Sequence, residues 1–253
     1  MDHSIQASLT RIFEQSSRFG VRALLLMNHL RESGYDREDP MQYLAFVASM
    51  AGQAKGQLFQ DLWALWVSGQ KRGGYFVEFG AANGVYLSNT WLLEKSMGWK
   101  GVLAEPNPTF HDSLKANRAC AISTKCVYTS SGQQLELIGT KAGEYSYLSN
   151  VPAELRSSTA RPKYEFQVET ISLNDLLIEH EAPRTIDYLS ADTEGSEFEI
   201  LSAFDFDRWD VRSITVEHNN NSNRDKLYGL LVERGFRRLW TELSLFDDWY
   251  VKD

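Results

Sequence analysis

Apolar residues recur at helical spacing from Ser4 to Leu30, with Ile5, Leu9, Ile12, Phe13, Phe19, Ala23, Leu26 and Leu30 on one stripe and Gly34 as a stop. A second helical stretch begins after Pro40 and carries Tyr43, Leu44, Phe46, Val47 and Met50. A break around Gly52 to Gly56 separates it from a third pattern, with Leu58, Phe59, Leu62, Trp63, Leu65 and Trp66, that ends at Gly69. Together these predict an N-terminal helical cap over residues 1–70, with Trp63 and Trp66 in its core.

The period changes at Gly73. Short apolar runs suited to buried strands, Tyr75–Ala81, Gly101–Glu105 and Cys126–Ser130, alternate with amphipathic stretches at Val85–Met97 and Pro108–Ala119. Strand pieces at Gln134–Thr140 and Phe166–Ile171 then flank a polar stretch, Lys141–Lys163, with Gly143, Pro152 and Pro162. Such a segment inside an α/β domain reads as an insertion near the binding site, here at residues 141–163. The rhythm resumes with a helix at Leu173–His180, a strand at Thr185–Ala191, a helix at Glu197–Ala203, a strand at Ser213–Glu217 and a helix at Arg224–Arg234. Two last strand-like runs, Phe236–Thr241 and Leu245–Val251, come without a helix between them. The alternation predicts an α/β domain over residues 71–253, built of βαβ units on a mostly parallel sheet and closed by a C-terminal antiparallel hairpin.

Composition narrows the partners. The 253 residues include 26 basic and 34 acidic side chains, a formal net charge of −8. Nucleic acid and anionic membrane surfaces both reward basic patches, so the expected partner is a small molecule or a glycan, with no nucleic acid and no membrane. The basic cluster Arg224, Lys226, Arg234, Arg237 and Arg238 reads as a solvated helix face. Cys120 and Cys126 are too few for a disulfide framework and have no metal-ligand cluster beside them. With no basic-then-apolar leader and no apolar run long enough for a bilayer, the expected compartment is the cytoplasm.

The chemistry concentrates at strand ends. Phe76–Gly84, FVEFGAANG, puts Glu78 on a strand that runs into a turn holding Gly80, Ala81, Asn83 and Gly84. A dinucleotide site uses G-x-G-x-x-G, whose middle glycine lets a pyrophosphate approach. Ala82 stands there in this chain, so a ligand without phosphates fits better, and Glu78 suits a cationic group such as an α-ammonium. Glu105, followed by Pro106, ends the next strand 27 positions after Glu78, where a doubly wound fold sets a carboxylate on ribose hydroxyls. Two acids and two glycines without a phosphate cradle describe an adenosine joined to an amino acid, which is S-adenosylmethionine. Taken alone, the turn is equally a tight strand-to-helix connection with no ligand.

At these residues the chain resembles the FkbM family of S-adenosylmethionine-dependent methyltransferases. The resemblance runs from about Lys55 to the C-terminus. It is carried by Lys55–Leu62 (KGQLFQDL), GGYFVEFGAANG, LAEPNP, Ser172–Leu177 (SLNDLL) and, most specifically, Ser190–Leu201 (SADTEGSEFEIL). It implies a Rossmann-like class I methyltransferase fold with a seven-stranded sheet, and methyl transfer, commonly to an oxygen of a sugar or natural product.

Methyl transfer needs an aligned acceptor and, for a hydroxyl, a group that takes its proton. Asp192 and Glu194 leave their strand at the crevice edge, and the Glu217–His218 pair ends the next strand. Asp192, Glu194 and His218 are the expected catalytic residues, with Asp192 also facing the cofactor. Ser130 and Ser131 fall where such a site holds adenine edges. Tyr145 and Tyr147 read as surface packing or as stackers on a sugar face. Ser196, Glu197 and Glu199 read as ordinary cap and first-turn residues. Acids gathered at one edge also suit Mg²⁺, but no ligand set is fixed, so no metal is assigned. Two rivals stand beside the methyltransferase reading: a nicotinamide-dependent oxidoreductase on the same fold, and a cofactor-binding module without catalysis.

Overall fold

The computed structural model describes residues 36–140, 145–155 and 162–252. The helix expected at Ser4–Leu30 and much of the polar stretch at 141–163 lie outside the described residues. The sequence-expected helices of the cap form as α1 (Pro40–Met50) and α2 (Gln60–Val67), joined through a 3₁₀ turn at Ala51–Gln53. Asp39 starts α1 by accepting from the N–H groups of Met41 and Gln42, and Pro40 follows where its missing N–H is harmless.

The main sheet has seven strands. In chain order they are β1 (Tyr75–Phe79), β2 (Lys100–Ala104), β3 (Ala121–Ser123), β9 (Tyr188–Ala191), β11 (Ser213–Glu217), β12 (Arg237–Leu239) and β13 (Asp247–Val251). Across the sheet they run β12-β13-β11-β9-β1-β2-β3, and only β13 is antiparallel to its neighbours. The chain starts in the middle at β1, winds outward to β3, then returns to β9 on the other side of β1. That return is the switch point at which doubly wound sheets open a crevice. It is the Rossmann-like fold of class I methyltransferases, with the C-terminal antiparallel hairpin expected from the sequence.

Strand alternation sends side chains to two layers. On one face Phe76, Leu103, Tyr188 and Trp249 pack with α1, α2, α3 (Trp91–Met97) and α4 (His111–Asn117). On the other, Val77, Val102, Leu189, Ile214 and Tyr250 pack with α5 (Leu173–Glu179), α6 (Glu197–Ser202) and α7 (Asn223–Glu233). The described cap helices therefore share a core with the sheet, and Trp63 and Trp66 are buried in it.

A second, four-stranded sheet orders β4 (Cys126–Tyr128), β7 (Pro162–Ser172), β5 (Gln134–Thr140) and β6 (Tyr147–Leu148) around its own small core of Cys126, Leu137, Leu148, Val151, Leu155 and Val168. The run Cys126–Ser130 therefore does not supply the third strand of the main sheet. Ala121–Ser123 does, and Cys126–Tyr128 pairs parallel with Thr170–Ser172 instead.

Other boundaries also move. The expected helix at Val85–Met97 begins only at Trp91, because Glu78 holds Ser88, Asn89 and Thr90 in a loop. The helix expected at Pro108–Ala119 shortens to His111–Asn117. The run Thr185–Ala191 splits at Asp187, whose carboxylate accepts from Tyr75 N–H at 2.9 Å and from Lys71 at 2.7 Å. Its first half, β8 (Thr185–Ile186), pairs with β10 (Asp210–Val211). A one-turn helix, α8 (Thr241–Ser244), stands between the last two strands.

Candidate active site

The carboxyl ends of β1, β2, β9 and β11 open into one cavity, walled on its far side by the second sheet and by the start of α2. Gly80, Ala81, Glu105, Pro106, Asp192 and Glu194, all expected from the sequence, line it. Gln60, Asn89, Ser196 and Glu217 join them, with Tyr86 and Tyr145 also on its wall. Cys126, Val127, Leu137 and Leu148 give it an apolar side.

Register explains why the acids converge. On β11 and β13, Glu217 and Asp247 are direct partners, and Val216 pairs with Ala191, the residue before Asp192. By alternation Asp192, Glu217 and Asp247 fall on the face that carries Tyr188 and Trp249, beside the cap. One carboxylate oxygen each from Asp192, Glu194 and Glu217 lie within 4.8 Å of one another. Gln60 reaches this cluster from the cap: its side-chain N–H donates to Asp247 at 2.7 Å, and its carbonyl accepts from Leu58 N–H.

Burial and mutual repulsion raise these groups. Burial and the Glu197 charge push Asp192 up to about 7, against a hydrogen-bond contact with Glu217. Glu217 is held well above the carboxylate range by burial and by Asp192 and Glu194. Burial takes Asp247 to about 8 despite the bond from Gln60. It takes Glu105 to about 7, although the N–H groups of Asn107 and Ala82 donate to that carboxylate at 2.8 and 2.7 Å.

The Asp192–Ser196 turn is shaped from within. Glu197 accepts from the Thr193 and Gly195 N–H groups, at 2.7 and 3.1 Å. Glu194 sits at φ +60, in the left-handed region. Ser196 does not cap α6, contrary to the sequence expectation. The residue is 2% exposed, its side chain makes no cap bond, and its hydroxyl is without a partner on the cavity wall.

Six expected site residues are placed elsewhere. Glu78 sits within β1, on the face that carries Phe76, where its carboxylate accepts from Ser88, Asn89 N–H and Thr90 and lies 3.7 Å from Arg118. It organises the loop after β1 and does not line the cavity. Asn83 folds the same loop by accepting from the Val85 and Tyr86 N–H groups. Gly84 is required because a Cβ there would stand 2.6 Å from Leu114. Ser130 and Ser131 close the turn after β4. Threonine 170 donates to the Ser130 carbonyl, and Ser131 bonds Asp175 at the start of α5.

His218 follows Glu217 and so points to the opposite layer. There its Nδ1 accepts from Asn220 N–H, and its Nε2 lies 3.6 Å from Asp248. Asp248 also binds Arg224 and Arg238, so two members of the supposed solvated cluster are partners of a buried acid. Glu217 was named in the sequence as half of the pair at the end of β11 but not chosen over His218; of the missed residues, Gln60 belonged to a segment the resemblance had marked. Asn89 had no signal, because only the fold brings its loop to β9.

A family model described as "Methyltransferase FkbM domain" matches residues 78–250. No match was found among curated proteins. Eight chains of solved structures match. One is a precorrin-6y C5,15-methyltransferase from Geobacter metallireducens GS-15, at 10% identity over 72% of this chain and 80% of that one, with a TM-score of 0.39. Another is the METTL16 MTase domain, at 12% identity over 85% of this chain and 80% of that one, with a TM-score of 0.44. Among the described residues no helix is long and apolar enough to cross a membrane.

Proposed function

The chain belongs to the FkbM methyltransferase family, and from that premise we propose that it transfers a methyl group from S-adenosylmethionine to a hydroxyl of a sugar, glycan or secondary metabolite. The observation that carries this reading is the cavity at the switch point, into which the strand-end acids Glu105, Asp192 and Glu217 open together.

The residues fit that methyl donor. It is a cation with two ribose hydroxyls and a purine. Four acids line the cavity, Glu105, Asp192, Glu194 and Glu217, with no lysine, arginine or histidine among the described lining residues. Glu105 has two oxygens for a pair of vicinal hydroxyls, and Val127, Leu137 and Leu148 supply an apolar wall for a flat base. Asn89 Oδ1 and Ser196 Oγ are buried there without partners, as polar groups that await a ligand are. When bound, S-adenosylmethionine supplies a methyl group on a positively charged sulfur.

The chain's own residues then bind and orient the acceptor and take its proton. Tyr86 and Tyr145 on the cavity wall hold a sugar face, and an acidic wall favours a neutral acceptor over a phosphorylated one. Asp192, beside Glu217 in the acid cluster, receives the hydroxyl proton as the oxygen is methylated. The unpaired Cys120 and Cys126 accord with a reducing, cytoplasmic setting.

Calorimetry tests the reading. S-adenosylmethionine or its demethylated product should bind, and Glu105→Ala should weaken binding by about tenfold or more, since a lost hydrogen bond to a charged group is worth ~1.5–3 kcal/mol. Absence of binding by either ligand overturns it. A radiolabelled-methyl assay over neutral sugars and hydroxylated metabolites separates an enzyme from a module that only binds.

A further inference from the structure

We propose that Gln60, delivered by the cap, is a positioning residue: by engaging Asp247 it keeps that acid from pairing with Glu217, and so leaves Glu217 free to face the ligand. The arrangement stands on geometry; its part in catalysis rests on the methyl-transfer reading above.

Three observations carry it. First, one oxygen of Glu217 is uncommitted. Asp192 is hydrogen-bonded to Glu217, yet Glu217 Oε2 is enclosed without a hydrogen bond on a side chain that lines the cavity. Second, a competitor for that oxygen stands next to it. Asp247 is its direct cross-strand partner, which puts the two Cβ atoms about 5 Å apart on one face. Burial lifts Asp247 to about 8, so it carries a proton at neutral pH. An O–H beside a carboxylate makes a short, charge-assisted hydrogen bond, about twice as strong as a neutral one. Third, Gln60 draws Asp247 the other way. Its amide donates to Asp247 Oδ2 at 2.7 Å, and the amide cannot reverse, because its carbonyl accepts from Leu58 N–H at 2.7 Å.

The cap holds Gln60 there without help from that bond. Phe59 before it has φ +62, and Asp61 after it accepts from the Lys55 and Leu62 N–H groups at 2.7 and 2.9 Å. Gly56 packs so closely that a Cβ there would stand 3.0 Å from Gln60 N and 2.9 Å from Asn89 Oδ1. The charged groups that bear on Glu217 are Asp192 at the end of β9, Glu194 and Glu197 at the start of α6, and Asp247 on β13. All are acids, so a donor for Glu217 Oε2 comes either from a protonated neighbour or from the ligand. With Asp247 engaged by Gln60, the ligand supplies it: a hydroxyl of the acceptor, held beside Asp192. Without Gln60, Asp247 closes on Glu217 and the acceptor loses that contact. A glutamine that merely satisfied a buried acid would act on stability and leave Glu217 as it is.

The test is the titration of Glu217, read by carbon-13 NMR in protein labelled at the glutamate carboxyl carbons. Its signal is the one lost in Glu217→Gln. In Gln60→Met the Asp247 proton turns to the Glu217 carboxylate and favours its charged form, so the Glu217 midpoint should fall by about one pH unit or more. Asp247→Leu removes the group through which Gln60 acts, and adding Gln60→Met to it should move the midpoint no further. For any acceptor that the labelled-methyl panel returns, Gln60→Met should raise KM by about tenfold, the loss of one hydrogen bond, and should raise it no further in the Asp247→Leu background. An unchanged midpoint in Gln60→Met, or an equal fall with and without Asp247, overturns the proposal. Gln60→Leu takes the place of Gln60→Met if the latter does not fold. Should the midpoint move as expected while S-adenosylmethionine fails to bind, the methyl-transfer reading falls and the role of Gln60 towards Glu217 stands.

Discussion

Gly80 marks where the molecule tolerates least. Its φ is +86, and a Cβ there would stand 1.8 Å from the Asp192 carbonyl oxygen. The close approach joins the end of β1 to the turn that carries the acids, so the glycine serves the protein's own packing before any ligand's. Gly80→Ala should cost about 3 kcal/mol or more in urea unfolding, since backbone must move as well as adopt a strained φ. Gly98→Ala is the control: φ is +68, nothing lies within 4 Å, and the cost should be about 1 kcal/mol. Equal losses at the two positions would sink the argument. The same scale separates Glu217 from His218. Adjacent on β11, they face opposite layers, so Glu217→Gln should reduce methyl transfer severely. His218→Gln should leave kcat within a few-fold and show its effect in stability, through Asp248.

At the level of elements, the loop from Ala81 to Thr90 is held by a buried network rather than by helix propensity. Arg118 bonds Glu94 at 2.6 Å, Gly84 O at 3.1 Å, Ser88 at 3.0 Å and Thr90 at 2.9 Å, beside Glu78. Arg118→Met strands two acids and should cost about 3–5 kcal/mol. It should also speed amide exchange across residues 81–90, and Glu78→Gln in that background should restore part of the loss. No recovery in the double variant would show that the two side chains do not act together.

This network also explains what the sequence could and could not disclose. The strands that open the site, β1, β2, β9 and β11, were readable as apolar runs, and their terminal acids Glu105, Asp192 and Glu217 could be found by position. Glu78 was misplaced because a residue inside a strand faces a layer, not the crevice, and counting by twos from Phe76 settles which one. The loop before Trp91 was taken for helix because Val85 and Leu87 keep up an apolar pattern, although Leu87 sits at φ +56 and bridges to Gly56. Cys126–Tyr128 reads as a strand in either sheet. Its partner, Thr170–Ser172, is far away in sequence, and apolar period carries no information about pairing.

Across the whole molecule, buried acids set the pH response. Asp61, in α2, is pushed to about 6 by burial against the N–H groups of Lys55, Gly56 and Leu62, while Glu105 stands at about 7 and Asp247 at about 8. Unfolded, such groups titrate near 4. Between those limits the native state holds more protons than the unfolded state, so stability falls as pH rises. Glu94 works the other way. Burial raises it, but the Ala119 N–H and Arg118 bring it down to about 2, and its contribution is lost only as the solution becomes strongly acidic. Asp248 is likewise held low, with burial outweighed by His218 and Arg224. The melting temperature in metal-free, ligand-free buffer should therefore be highest near pH 5, fall by several degrees towards pH 8.5 and fall again below pH 4. A melting temperature that rises steadily from pH 5 to 8.5 would mean that Glu105 and Asp247 are ionised in the folded protein and solvated by water entering the cavity.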